Sequence, residues 1–157
     1  MVAVQIAIDQ WSKDWAVRSL GPERQISVVP TVDLDLSYNR GFSFGTGAGQ
    51  GRLVAVLVIV MIAGLVRFAW REPMGPRLVL IAVILGGALG NLGDRIVRAD
   101  DGFLTGPVVD FIDVHWYAVF NVADIFVVGG VIALFLVEVV RPLAFRPMVQ
   151  VDEVAET

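Results

Sequence analysis

The stretch "VVDFIDVHWYAVFNVADIFVVGG", residues 108–130, puts side chains capable of chemistry into sequence that otherwise reads as membrane-embedded. It holds Asp110, Asp113 and Asp124, together with Asn121 and the chain's only histidine, His115. An ionised aspartate at the centre of a span costs roughly 2.5–3.5 kcal/mol on insertion scales, so such residues face one another or a wet cavity. The residue types then narrow the chemistry. With no cysteine in the chain there is no thiolate nucleophile, no thiolate metal ligand and no disulfide. A serine–histidine pair would have to use His115, but no serine and no nucleophile-elbow pattern occurs in the apolar segments after residue 50. A zinc-protease helix needs two histidines. Two carboxylates suffice for a different route: one, ionised, takes a proton from water while the other, protonated, donates to the carbonyl of the bond being cut. Asp110 and Asp124 are the natural couple. Two adjacent carboxylates cannot both ionise cheaply, so they share a proton and titrate as a unit. Asp113 and His115 read as loop residues, because nothing nearby completes a metal site; neither a metal nor a cofactor is expected.

Apolar segments must position this pair. Residues 53–70 carry one charge in eighteen and can cross a hydrocarbon core of about 30 Å at about 1.5 Å per residue. Residues 76–94 open on a proline and turn polar only at Asn91, and residues 118–140 form a further span with Asn121 and Asp124 near its start. Residues 1–20 form a fourth span that mixes Asp9, Lys13, Asp14 and Arg18 with Trp11 and Trp15. The fold class is therefore mainly α, an integral membrane domain over 1–140 with four transmembrane helices. Alternation in "VDLDLSY" predicts a small extracytoplasmic β-sheet within 26–45, and 141–157 reads as a polar cytoplasmic tail.

Hydrophobic residues make up 56% of the chain, which suits lipid as the main solvent. A net charge of −4 without a basic patch excludes nucleic acid as a partner. Arg67, Arg71, Arg77, Arg141 and Arg146 flank one side, which the positive-inside rule makes cytoplasmic. Helical spacing then sets Asn91 with Arg95, Asn121 with Asp124, and Asp9 with Lys13 each on one face near the opposite boundary. A polar pocket open to the extracytoplasmic side follows.

Four blocks in order, "DQWSK" (9–13), "NRGFSFG" (39–45), "GGALGNLGDR" (86–95) and "VVDFID" with "FNVAD" (108–113, 120–124), resemble the lipoprotein signal peptidase (signal peptidase II) family of bacterial membrane aspartyl peptidases. The resemblance spans about residues 6–140. It implies Asp110 and Asp124 as the catalytic aspartates, and Asn39, Asn91, Arg95 and Asn121 as residues lining the substrate pocket. Asp9 and Lys13 match its "DQxSK" pair, to which a positional and structural role is assigned. It further implies a sheet that cradles the substrate, cleavage of a diacylglyceryl-modified prolipoprotein just before its lipidated cysteine, contact with membrane lipid, and inhibition by globomycin. The location implied is the bacterial cytoplasmic membrane, with the site on its outer face. Phe42 stands where a small residue is common, and Ile125 replaces a small polar residue.

Blander readings compete at each position. Asp124 alone could be a buried hydrogen bonder between helices, Arg95 could snorkel to headgroups, and Asp9 with Lys13 could be an ion pair. Gly86, Gly87 and Gly90 read as close-packing positions, and the tryptophans as interfacial anchors. A different class of function, a proton- or cation-relay transporter or channel subunit, would use the same carboxylates. It would need polar residues down to the cytoplasmic face, where "VVGGVIALFLV" and "LVLIAVIL" are apolar.

Overall fold

The structure, a computed structural model, describes residues 1–21, 24–41 and 50–140. In chain order it comprises α1 (Val2–Ser19), β1 (Ile26–Val29), β2 (Val32–Asn39), α2 (Gly51–Ala69), α3 (Pro76–Val97), β3 (Val108–Asp113) and α4 (Val122–Phe135), which runs on into a π-helical turn at Leu136–Val140. Helices α2, α3 and the stretch Val122–Val139 are long and apolar enough to cross a membrane. The fold is thus a helical membrane bundle with a small sheet at one end.

Helix α1 is built inside out. Its buried residues are Gln5, Asp9, Ser12, Lys13 and Ala16, whereas Val4, Ile8 and Trp11 are exposed. In water that arrangement would be costly. Beside lipid it is reasonable, because apolar side chains lose nothing facing outward and polar ones need partners within the protein. Those partners lie on α3, which packs against α1, α2 and α4 alike and is the hub of the bundle.

Small residues on α3 let its neighbours come close. A Cβ at Gly87 would strike the Ala123 carbonyl of α4, and one at Gly90 would sit 2.6 Å from the Asp9 carboxylate of α1. Packing through small residues compensates for the weak drive to bury apolar surface between helices in lipid. Helix α2 is held more loosely: it packs on α3 and has no extensive contact with α1 or α4.

The strands expected within 26–45 are present as β1 and β2, and the sheet gains a third strand that the sequence did not suggest. It has three strands in the order β1-β2-β3, all antiparallel, and the third comes from residues 108–113 rather than from the 26–45 region. Asp110 therefore stands on a strand, opposite Ser37, and Asp113, expected in a loop, is the last residue of that strand, paired with Asp33. Phe111 on the same strand packs with Ala16 of α1 and its C-cap Leu20, joined by Leu34, Leu36 and Val122, which seats the sheet on the end of the bundle. Trp15 adds an edge-to-face contact with Phe111 at 6.4 Å. Residues 118–121, expected inside a span, precede α4, which begins at Val122. Phe42, Arg141, Arg146 and the expected tail at 141–157 lie outside the described residues.

Candidate active site

Asp124 owes its position to the start of α4. Asn121 is the N-cap and Asp124 the third helical residue, and the two form a capping box. The Asn121 Oδ1 accepts from the Asp124 N–H at 3.1 Å, and Asp124 Oδ2 accepts from the Asn121 N–H at 3.1 Å. The i, i+3 spacing thus reflects a helix start, not two residues along one helical face as the sequence suggests. Asp110 comes from β3 and is buried. Asn39, two residues beyond Ser37 on β2, lies diagonal to it on the same face and donates to Asp110 Oδ2 at 3.2 Å.

Asparagines link the two carboxylates. Asn121 Nδ2 donates to Asp110 Oδ1 at 2.6 Å and to Asn91 Oδ1 at 3.0 Å, while Asn91 Nδ2 donates to Asp124 Oδ1 at 2.8 Å. Each amide has its orientation fixed from behind. The Asn39 Oδ1 accepts from the Gly41 N–H, that of Asn121 from the Asp124 N–H, and that of Asn91 from the Lys13 ammonium at 2.9 Å. A group that can only donate forces the amide oxygen toward itself and so turns the NH2 toward an aspartate. All three asparagines present donors to the pair.

The electrostatics oppose that donor shell. Burial, and then the neighbouring Asp124, push the Asp110 carboxyl up to about 7, although hydrogen bonds from Asn121 and Asn39 and the charge of Lys13 pull it down. A carboxyl in that range can hold or release a proton near neutrality, as an acid–base dyad requires.

Between the pair and α2 lies a cavity of about 180 Å³, lined by Asn39, Gly41, Val54, Val58, Asn91, Arg95, Val108, Asp110 and Asp124. Arg95 donates through Nη2 to the Gly41 carbonyl at 3.0 Å, and its buried Nη1 has no hydrogen-bond partner among the described residues. A buried guanidinium nitrogen left open beside a cavity is suited to a carbonyl or ester oxygen of a bound molecule.

Of the eight predicted site residues, Asp110, Asp124, Asn39, Asn91 and Arg95 line this cavity. Asn121 does not. It is fully buried, and its Oδ1 and Nδ2 are engaged by Asp124, Asn91 and Asp110. Asp9 and Lys13 form the expected ion pair at 2.8 Å and do not line the cavity. Reading the sequence missed Asp94, which pairs with Lys13 at 2.9 Å and accepts from Gln10 and Arg98. The signal was the full "GNLGDR" block, whose aspartate lies one helical turn beyond Asn91. His115 bonds Asp33 at 2.5 Å on the far part of the sheet, away from the pair. Among the described residues no cluster of His, Cys, Asp or Glu could hold a metal ion.

A family model described as signal peptidase (SPase) II matches residues 1–140. The lipoprotein signal peptidase of Bifidobacterium adolescentis is 41% identical over 145 residues, covering 91% of this chain and 76% of the relative. That of Mycobacterium avium is 38% identical over 146 residues, covering 88% and 76%. Two bacterial membrane enzymes solved by the in meso method share the fold. One has a TM-score of 0.77 at 24% identity, covering 99% of this chain and 91% of that one; the other has 0.73 at 26%, covering 87% and 88%.

Proposed function

The chain belongs to the signal peptidase II family, and from that membership we propose that Asp110 and Asp124 are the carboxylates with which it removes signal peptides from lipid-modified precursor proteins. The observation that carries the assignment is the hydrogen-bonded bridge between them, Asp110–Asn121–Asn91–Asp124, at the wall of a cavity.

In this reading Asp110 carries the shared proton. Asp124 takes a proton from water, the resulting hydroxide attacks the scissile carbonyl, and Asp110 donates to the developing oxyanion. Proton return to the leaving amine completes cleavage. Arg95 Nη1 and the Asn39 amide supply polar contacts to the peptide or the lipid ester. Val54 and Val58 supply an apolar wall, and the loose seating of α2 suits lateral access for a diacylglyceryl chain. Anchoring the lipid supplies proximity, which removes much of the entropic barrier. The site faces outward from a bacterial cytoplasmic membrane, and a globomycin-type cyclic peptide competes for the same cavity. The relay reading gains no support, since the family is a peptidase family.

The test is incubation of purified protein with a diacylglyceryl-modified precursor, with and without globomycin, following release of the signal peptide. Asp110→Asn and Asp124→Asn each remove a proton-transfer group and should lower turnover by at least about 100-fold while membrane insertion persists. Full activity in either variant ends the assignment.

A further inference from the structure

Lys13 occupies a position that an ion pair with Asp9 alone does not explain. Its three N–H bonds are all used: to Asp9 Oδ2 at 2.8 Å, Asp94 Oδ2 at 2.9 Å and Asn91 Oδ1 at 2.9 Å. The ammonium and both carboxylates are completely buried. Each carboxylate also holds a backbone amide. Asp9 Oδ1 accepts from the N–H of Ala123 at 3.0 Å, and Asp94 Oδ2 accepts from the N–H of Val109 at 3.2 Å. Ala123 immediately precedes Asp124, and Val109 immediately precedes Asp110. The third arm, Asn91, reaches the Asp124 side chain directly.

Building on the assignment of Asp110 and Asp124 as the reacting pair, we infer that Lys13 is a positioning residue. It ties the α4 start and β3 to one ammonium and sets the separation and donor environment of the two aspartates. Three features of the geometry carry this. The carboxylates bonded to Lys13 grip the residues next to the reacting ones, so a change at Nζ is transmitted through only one side chain and one peptide unit on each branch. The ammonium has no acceptor capacity, so it fixes the Asn91 amide with its NH2 toward Asp124. Without that constraint the amide can turn its oxygen to Asp124, where it would oppose an ionised carboxylate. Gly90 gives the arrangement room, since any side chain there would displace the Asp9 carboxylate.

The charged groups facing Asp110 are Asp124 from α4, Arg95 from α3 and Lys13 from α1. Lys13 favours the ionised form of Asp110. Its removal therefore acts on the proton of the pair as well as on its geometry, which distinguishes positioning from mere support of the fold.

The experiment measures cleavage of a diacylglyceryl-modified precursor across pH, with rates expressed per active site titrated by globomycin. Lys13→Met should lower kcat at least tenfold with little change in KM and should displace the alkaline limb of kcat/KM to higher pH. Because Lys13→Met leaves buried Asp9 without a cation and Asp94 with Arg98 alone, the charge-matched double variant Asp9→Asn/Lys13→Gln is measured alongside it, with the same changes expected. Unchanged kcat per titrated site together with an unmoved alkaline limb, whatever the yield of folded protein, overturns the inference. Asp110→Asn and Asp124→Asn serve as references: activity in those variants would defeat the dyad itself, whereas their inactivity beside an unaltered Lys13 variant would defeat only the positioning role.

Discussion

At the scale of single residues, one buried carboxyl sets the pH behaviour of the molecule. Asp110 sits at about 7 against an ordinary value of 3.8, chiefly through burial and then through Asp124. A carboxyl raised in this way stabilises the fold fully below its ordinary value, and that contribution is lost as pH rises from there through about 7. Thermal unfolding of the wild type should therefore fall across this interval, and Asp110→Asn should flatten the dependence. On the proposed assignment of Asp110 and Asp124 the same titration should govern activity, with cleavage declining above about 7 as the proton is lost. Asn39 donates to Asp110 and lowers its value, so Asn39→Ala should let the proton persist and shift the alkaline limb upward. A shift of up to about one pH unit is expected, the size of one hydrogen bond to a charged group. A limb that moves downward, or remains where it was, would show that Asn39 does not bear on this proton.

At the scale of elements, α3 places its small residues where neighbouring helices need space, and the glycines of the chain divide accordingly. Gly90 faces the Asp9 carboxylate and Ala123, whereas a Cβ added at Gly129 on α4 would meet nothing within 4 Å. Gly90→Ala should destabilise by several kcal/mol or abolish insertion of an active bundle, since a buried, partnered carboxylate must move. Gly129→Ala should be neutral or stabilise by up to about 1 kcal/mol through helix propensity. Thermal unfolding in detergent compares the two, and equal effects would argue against the close approach of α1 to α3. Much of this was legible in the chain: three spans follow from length and apolarity, and Asp110 with Asp124 stand out because carboxylates there need a reason. What could not be read depends on partners distant in sequence. "VVDFID" is a short segment with no turn signal that ties it to the far earlier β1–β2 hairpin, so β3 went unseen. Asn121 and Asp124 at i, i+3 fit a helix face and a capping box equally well, and only the position of the helix start separates the two. Asp94 gains its role from Lys13, on another helix, which no local pattern encodes.

At the scale of the whole molecule, the site is assembled where five elements meet: the C-terminal half of α1, the end of β2, the last turns of α3, the strand β3 and the first turn of α4. The polar network stops there. Deeper in the bundle, among the described residues, Gln5 is the one buried polar side chain, bonded to the Val83 carbonyl, so the polar network does not run the length of the bundle. The direction the site faces can be measured directly, because the chain has no cysteine and any one introduced is unique. Trp116 follows the sheet strand that carries Asp110 and is 80% exposed; Met74 lies in the connection between α2 and α3, at the opposite end, and is 92% exposed. Arg67, Arg71 and Arg77 surround Met74 in the sequence, and the positive-inside rule predicts that this connection is cytoplasmic. A membrane-impermeant thiol reagent added to intact spheroplasts should therefore label Trp116→Cys and spare Met74→Cys until the membrane is opened. The opposite pattern would turn the cavity toward the cytoplasm, where a precursor arriving from the outer face could not reach Asp110 and Asp124. The peptidase chemistry would survive that result; the outward-facing site would not.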